Sequence, residues 1–155
     1  NEALLSVAAW NPVEQLDPSD ASQIVRLADQ VVRAGRGRDL RLIWATSARD
    51  ALAAAAIGRR LSLPAFYEMA DLTGWRARFD DAAWRYTDEG QREEALFRGA
   101  LNTAHRLVVG SHEDRVWLAA FLTDAERILL VEDGVAIVLA PRAVGRRSST
   151  RSVSD

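Results

Sequence analysis

Residues Leu40-Arg41-Leu42-Ile43-Trp44-Ala45-Thr46-Ser47-Ala48-Arg49-Asp50 hold the reading on which the fold turns. An apolar run with a β-branched residue and an aromatic reads as a strand. Ser-x-x-Asp directly after it reads as a helix start, because the serine hydroxyl accepts one of the backbone N–H groups that the first turn leaves without a partner. The alanine-rich stretch from Ser47 to about Leu61 continues that helix, and Pro64 closes the turn beyond it. Ala65 to Ala70 is again strand-like. A strand, a connection of helical length and a second strand imply a parallel pair with a right-handed crossover.

The pattern repeats on both sides. Downstream, Leu107-Val108-Val109-Gly110-Ser111-His112-Glu113-Asp114 has the same order of apolar strand, tight turn and Ser-x-x-Asp. Upstream, Ala3 to Trp10 reads as a buried strand ended by Asn11-Pro12. Asp17-Pro18 then opens a helix with Ile24, Leu27, Ala28, Val31 and Val32 on one face, stopped by Gly35 and Gly37. Asp71 to Tyr86 is the least regular stretch and reads as a long loop or broken helix lying on the body. Thr87 or Asp88 caps a helix to about Arg106. Its apolar face is Leu96, Phe97, Ala100, Leu101 and Ala104, and Glu94 precedes Arg98 by the favourable four residues. Ser111 opens a helix carrying Val116, Trp117, Ala120 and Phe121. Arg127 to Glu132 and Val135 to Ala140 flank Asp133-Gly134, a hairpin signal. The expected class is α/β: a Rossmann-like three-layer fold whose mostly parallel sheet of about four to five strands ends in an antiparallel hairpin. Residues 1–141 are expected to form one domain, and the Arg/Ser-rich residues 142–155 a flexible tail.

Composition narrows the chemistry. The chain of 155 residues is 48% hydrophobic and 27% charged and has no cysteine, which excludes disulfides, thiolate metal sites and cysteine catalysis. All 20 basic residues are arginine, so lysine chemistry is absent. Arg142, Arg146, Arg147 and Arg151 lie in the tail. The rest of the chain then sets 16 arginines against 21 acids. That balance argues against broad phosphate-backbone binding, and nucleic acid is not an expected partner. Arg146-Arg147 before Ser148-Ser149 suits a basic-directed kinase, nucleic acid or an acidic partner, while such a tail more often serves as a linker. No apolar run approaches the roughly 18 residues that span a bilayer, and the start lacks a secretory leader. The expectation is a cytoplasmic piece of a larger protein, without a membrane partner.

In parallel α/β sheets ligands bind beyond the carboxyl ends of the strands. That edge is expected to gather Asn11, Thr46, Ser47, Arg49, Ser111 and His112 as ligand-binding residues, with Trp10, Gly110 and Glu68 near them. Two helix N-termini there favour an anion such as phosphate or carboxylate. No cofactor is expected, and no metal, since the chain has two histidines and no cysteine. No Gly-x-Ser-x-Gly, Gly-rich phosphate loop or His-Glu-x-x-His occurs. Catalysis would need Ser111 as nucleophile and His112 as base. His105 reads as a helix-terminal structural residue, and Asp80-Asp81 as solvated loop acids. Of five tryptophans, Trp44 and Trp117 fall on elements expected to be buried. Trp75 and Trp84, with Arg76, Arg78 and Arg85 beside them, read either as a partner interface or as a plug for the protein's own core.

One stretch is similar to a known family. Ala56-Ile57-Gly58-Arg59-Arg60-Leu61, followed by Pro64 and Phe66-Tyr67-Glu68, resembles the end of SAVED domains, Rossmann-like sensors of cyclic oligonucleotides in bacterial defence related to a pair of CARF-like units. The similar segment, Leu40 to Glu68, is about a fifth of the chain, and about 85 residues follow it here, whereas in that family it lies close to the domain's end. The resemblance implies a nucleotide-like ligand. The expected function is a noncatalytic regulatory domain of a larger bacterial signalling or defence protein, sensing a small anionic ligand or docking to a protein partner. The alternatives are a hydrolase or transferase using the Ser111/His112 edge, and an assembly module built on the Trp75–Tyr86 surface and the arginine tail.

Overall fold

The computed structural model describes residue 17 and residues 19–36, 39–132 and 135–136. The expected first strand, Ala3 to Trp10, lies outside the described residues. So do Asn11, the Asp133-Gly134 turn, residues 137–140 and the tail.

Within the described residues, helix α1 (Ala21–Ala34) precedes strand β1 (Ile43–Ala45), and helix α2 (Ala48–Leu61) leads to β2 (Ala65–Met69). Two short helices, α3 (Thr73–Asp80) and α4 (Ala82–Arg85), precede the long α5 (Asp88–Thr103). Strand β3 (Arg106–Val109), helix α6 (His112–Ala119), a 3-10 turn (Ala125–Arg127), β4 (Ile128–Glu132) and β5 (Val135–Ala136) follow. The strands lie in sequence order. β1 to β4 are all parallel, with Trp44 opposite Phe66, Phe66 opposite Arg106 and Val108 opposite Leu129. β5 meets β4 antiparallel, Val131 opposite Ala136. This is the expected α/β class with a parallel, Rossmann-like sheet. Among the described residues no helix is long and apolar enough to cross a membrane.

Local chemistry sets the boundaries. Asp20 caps α1, accepting from the Ser22 and Gln23 amides. Ser47 caps α2 through the Asp50 amide at 3.1 Å, and Ser62 ends that helix in the left-handed conformation at φ 58°. The irregular stretch is a broken helix. Asp81 ends α3 and caps α4 by accepting from the Ala83 and Trp84 amides. α5 stops at Thr103, three residues short of the expected end. The chain must already be extended at His105, whose N–H donates to the Ala65 carbonyl at 2.8 Å. The His105 ring reinforces the junction: its Nδ1 accepts the Ala65 N–H at 3.1 Å. Arg127 then clasps the end of α5, donating to the Leu101 carbonyl at 2.8 Å and the Ala104 carbonyl at 2.5 Å. A guanidinium there satisfies orphan carbonyls at the negative end of the helix dipole.

The core is one-sided in its helical contacts. Ala45, Ala65, Tyr67, Met69, Leu107, Val109 and Ile128 alternate along the strands and share one cluster with Ala51, Ala54 and Ala55 of α2, Phe97 and Leu101 of α5 and Leu118 of α6. α1 extends the same helical layer. Its Ile24, Leu27 and Ala28 pack on Ala53 and Ile57 of α2. Burial pushes the Tyr67 phenol up to about 12, as expected where charge would lose its water. The other strand faces, with Trp44, Phe66, Val108 and Leu129, take no part in this cluster.

Gly90 tests the α4–α5 junction. It is buried in the first turn of α5, and a Cβ there would land on the Trp84 carbonyl oxygen. Helix propensity alone would favour Gly90→Ala by about 1 kcal/mol. The collision is with backbone and outweighs that gain. The variant is expected to lose about 1–3 kcal/mol, read as a lower urea midpoint at unchanged slope.

Candidate functional site

The carboxyl ends of β1, β2 and β3 form the edge where a ligand site was expected. Thr46 and Ser47 end β1 and are exposed. Ser111 and His112 follow β3. β2 separates the two groups, so Ser47 and Ser111 stand about two strand spacings apart, roughly 10 Å. The chain leaving β2 runs between them through the exposed Ala70 and Asp71 to the fully buried Leu72, and a Cβ on Gly110 would make ordinary contact, 3.4 Å, with the Ala70 carbonyl. Crevices at such edges open where strand order reverses. Among the described residues the order never reverses.

Each turn at this edge is closed by its own acid. Ser111 Oγ accepts the Asp114 amide at 3.0 Å and donates to Asp114 Oδ2 at 2.8 Å. Asp71 accepts from the Thr73 amide at 2.8 Å, and the Thr73 hydroxyl and amide hold its carboxyl below the usual range. Asp50 occupies the first turn of α2, and Glu113 and Asp114 that of α6. Carboxylates at helix N-termini already complement the positive dipole ends. Arg76 of α3 bridges the β2 and β3 turns by donating to both Glu113 and Asp114. Asp114 is buried, and above all the hydrogen bond it accepts raises the Arg76 pKa above the ordinary guanidinium value. A buried carboxylate paired this way is costly to unpair.

The expected ligand residues are therefore only partly brought together. Ser111 and His112 join Arg76, expected at the interface, and Glu113, not among the expected ligand residues. Ser111 gives its proton to Asp114, so no Ser111–His112 hydrogen bond of the kind a nucleophile and base need is present among the described residues. Arg49 lies in a shallow depression between α2 and α5, with Leu52, Glu89, Arg92, Glu93 and Leu96. His112, Arg76, Glu113, Val116 and Trp117 line a second shallow depression on α6. Val116 is 59% exposed within it.

The tryptophans divide differently from expectation. Trp75 stacks on the buried Phe97 with centroids 4.3 Å apart, and Phe79, Trp117 and Phe121 complete an aromatic cluster. The α3–α4 segment plugs the core with these rings. Trp84 meets Trp75 edge-on at 6.4 Å. Arg78 lies over both Trp75 and Trp84, while Arg85 and Arg98 lie over Phe79. Glu94 ties Arg98 at 2.8 Å and Arg85 at 3.3 Å. Trp44, expected to be buried, is 47% exposed, because its strand turns it away from the helical layer.

No protein-family model matches the chain, and neither a curated protein nor a solved structure shows significant similarity to it. The segment similar to SAVED domains spans β1, α2 and β2 here.

Glu94 supplies a pH test. The Arg98 guanidinium, and after it Arg85, holds its carboxyl below the usual range against the opposing effect of burial. A depressed folded pKa gives stability that is present above the unfolded value of about 4.3 and is lost as pH falls through the folded value. Thermal midpoints of the wild type are expected to fall as the pH is lowered below the unfolded value of about 4.3. In Glu94→Gln the midpoint at neutral pH should be lower and the acid-side drop shallower.

Proposed function

We propose that this is a noncatalytic regulatory domain that acts by docking to a protein partner through the outer face of α6. The observation that carries the reading is the pairing of Arg76 with Glu113 and Asp114 around an exposed apolar spot. Val116 and Trp117 give a partner apolar surface to cover. The charged rim is already paired within the domain, so covering it strands no ion. Interfaces draw their affinity from such a centre and tolerate a satisfied polar rim. Glu113 is 80% exposed despite its pair and favours a partner with a basic group beside its apolar anchor.

The geometry lends less support to a small-anion sensor. A phosphate at either helix N-terminus would meet Asp50, or Glu113 and Asp114, in the first turn. Arg49, the expected counter-charge, stands between α2 and α5 among Glu89 and Glu93. A hydrolase using Ser111 would first have to break its bond to Asp114.

Peptides selected from a random displayed library against the wild type are expected to carry an apolar anchor next to a basic residue. Their affinity should fall at least about tenfold, or roughly 1.4 kcal/mol, in Val116→Asp, with the circular dichroism unchanged. Peptides indifferent to Val116→Asp would overturn the docking surface. A parallel thermal-shift screen of nucleotides, cyclic oligonucleotides and sugar phosphates should show no stabilisation. A shift lost in Arg49→Ala would instead return the domain to the anion-sensing reading.

A further inference from the structure

Independently of the α6 surface, we propose that the sheet face carrying Trp44, Phe66, Glu68, Val108 and Arg106 is the interface between two copies of this chain, with Glu68 of each copy paired to Arg106 of the other.

The starting point is a rule of parallel sheets. Their strands are covered on both faces, because each strand is an apolar run. Here the core cluster takes every second residue of β1 to β4, and α2, α5 and α6 all contribute to that one cluster. The residues between them point the other way. Trp44 is 47% exposed, and Leu42 just before the strand is 40% exposed. Phe66, Leu129 and Val131 are half-buried. Register sets Trp44, Phe66 and Arg106 in one row across β1, β2 and β3, and Glu68, Val108 and Leu129 in the next row across β2, β3 and β4.

Trp44 is also fixed in place. Its Nε1 donates to Glu68 Oε2 at 2.6 Å, and its ring tilts against Phe66 with centroids 5.8 Å apart. An aromatic held this way loses little freedom when covered, which is what a preformed interface requires.

The charges select the occupant. Glu68 and Arg106 stand on adjacent strands of this face, diagonal to each other across the Phe66–Val108 pair. Closed dimers are related by a two-fold axis and use the same patch twice. A two-fold axis lying between two such sheets, close to the Phe66–Val108 diagonal, exchanges the other diagonal. It brings Glu68 of one copy over Arg106 of the other, and the reverse, while the half-buried Phe66 meets its own counterpart at the centre, above Val108, which is 3% exposed. The face is therefore complementary to itself in charge. Among the described residues, Arg106 otherwise holds only a long hydrogen bond, 3.4 Å, to the His105 carbonyl, which a partner's carboxylate would outcompete.

Sedimentation of the full chain over a wide concentration series tests this. The wild type is expected to show a concentration-dependent dimer. Glu68→Arg and Arg106→Glu should each weaken it at least about tenfold, since each sets like charges face to face twice. Mixed together, the two variants should form a heterodimer, because every facing pair is then opposite in charge. A wild type that stays monomeric throughout would overturn the proposal. So would a dimer that survives both reversals, or folded single variants that fail to associate when mixed.

Discussion

Parallel strands taken in sequence order leave a right-handed chain little choice of where to put its helices. Each strand must be followed by a crossover, and each right-handed crossover between strands advancing in the same direction lands on the same face. β1 to β4 advance in this way, and α2, α5 and α6 gather into one core with alternate strand residues. The rest follows from that constraint. Among the described residues, α1, α2, α5 and α6 share one helical layer, strand order does not reverse to open a crevice at the carboxyl edge, and the core cluster draws on one sheet face.

The α3–α4 segment shows how the chain completes the helical layer where a single long crossover helix would not fit. It contributes rings rather than a regular apolar stripe. Trp75 lies flat on Phe97, and Phe79 wedges between Phe97, Trp117 and Phe121. The polar ends of the same segment then face outward as arginines over ring faces. Guanidinium groups suit this position because they are weakly hydrated and stack on aromatic surface without losing their charge to the interior. A lysine-free chain has this option at every basic position. The aromatics and arginines that read in sequence either as a partner surface or as a plug thus pack, for the most part, against one another within the domain.

What was legible in the sequence was local. The serine caps of α2 and α6, the Glu94–Arg98 pair and the alternation of strand with helix all arise within about one helical turn or one crossover, where spacing and residue type carry the physics. The break at Asp81 was legible only as irregularity. What escaped was long-range. Arg127 closes the end of α5 across 26 residues, and Arg76 reaches Glu113 and Asp114 across 37 and 38. Nothing about an arginine in sequence says which carbonyl or carboxylate it will find. Trp44 failed for another reason: hydrophobicity marks a residue as strand-forming but does not say toward which face its strand will turn it.

The same logic explains why the expected anion edge reads better as a surface than as a pocket. Ser-x-x-Asp marks a capped helix start, and the aspartate in that motif sits where an anion would bind. Ser111 and Asp114 satisfy one another and Arg76 locks Asp114 from the neighbouring turn, so this turn offers a ligand neither a free Ser111 hydroxyl nor a free Asp114 carboxylate. A partner protein needs neither. It needs a rigid outline, a little exposed apolar area and charges that stay paired when water leaves, and on the proposed docking reading Val116, with the Arg76–Glu113–Asp114 pairs beside it, would supply these.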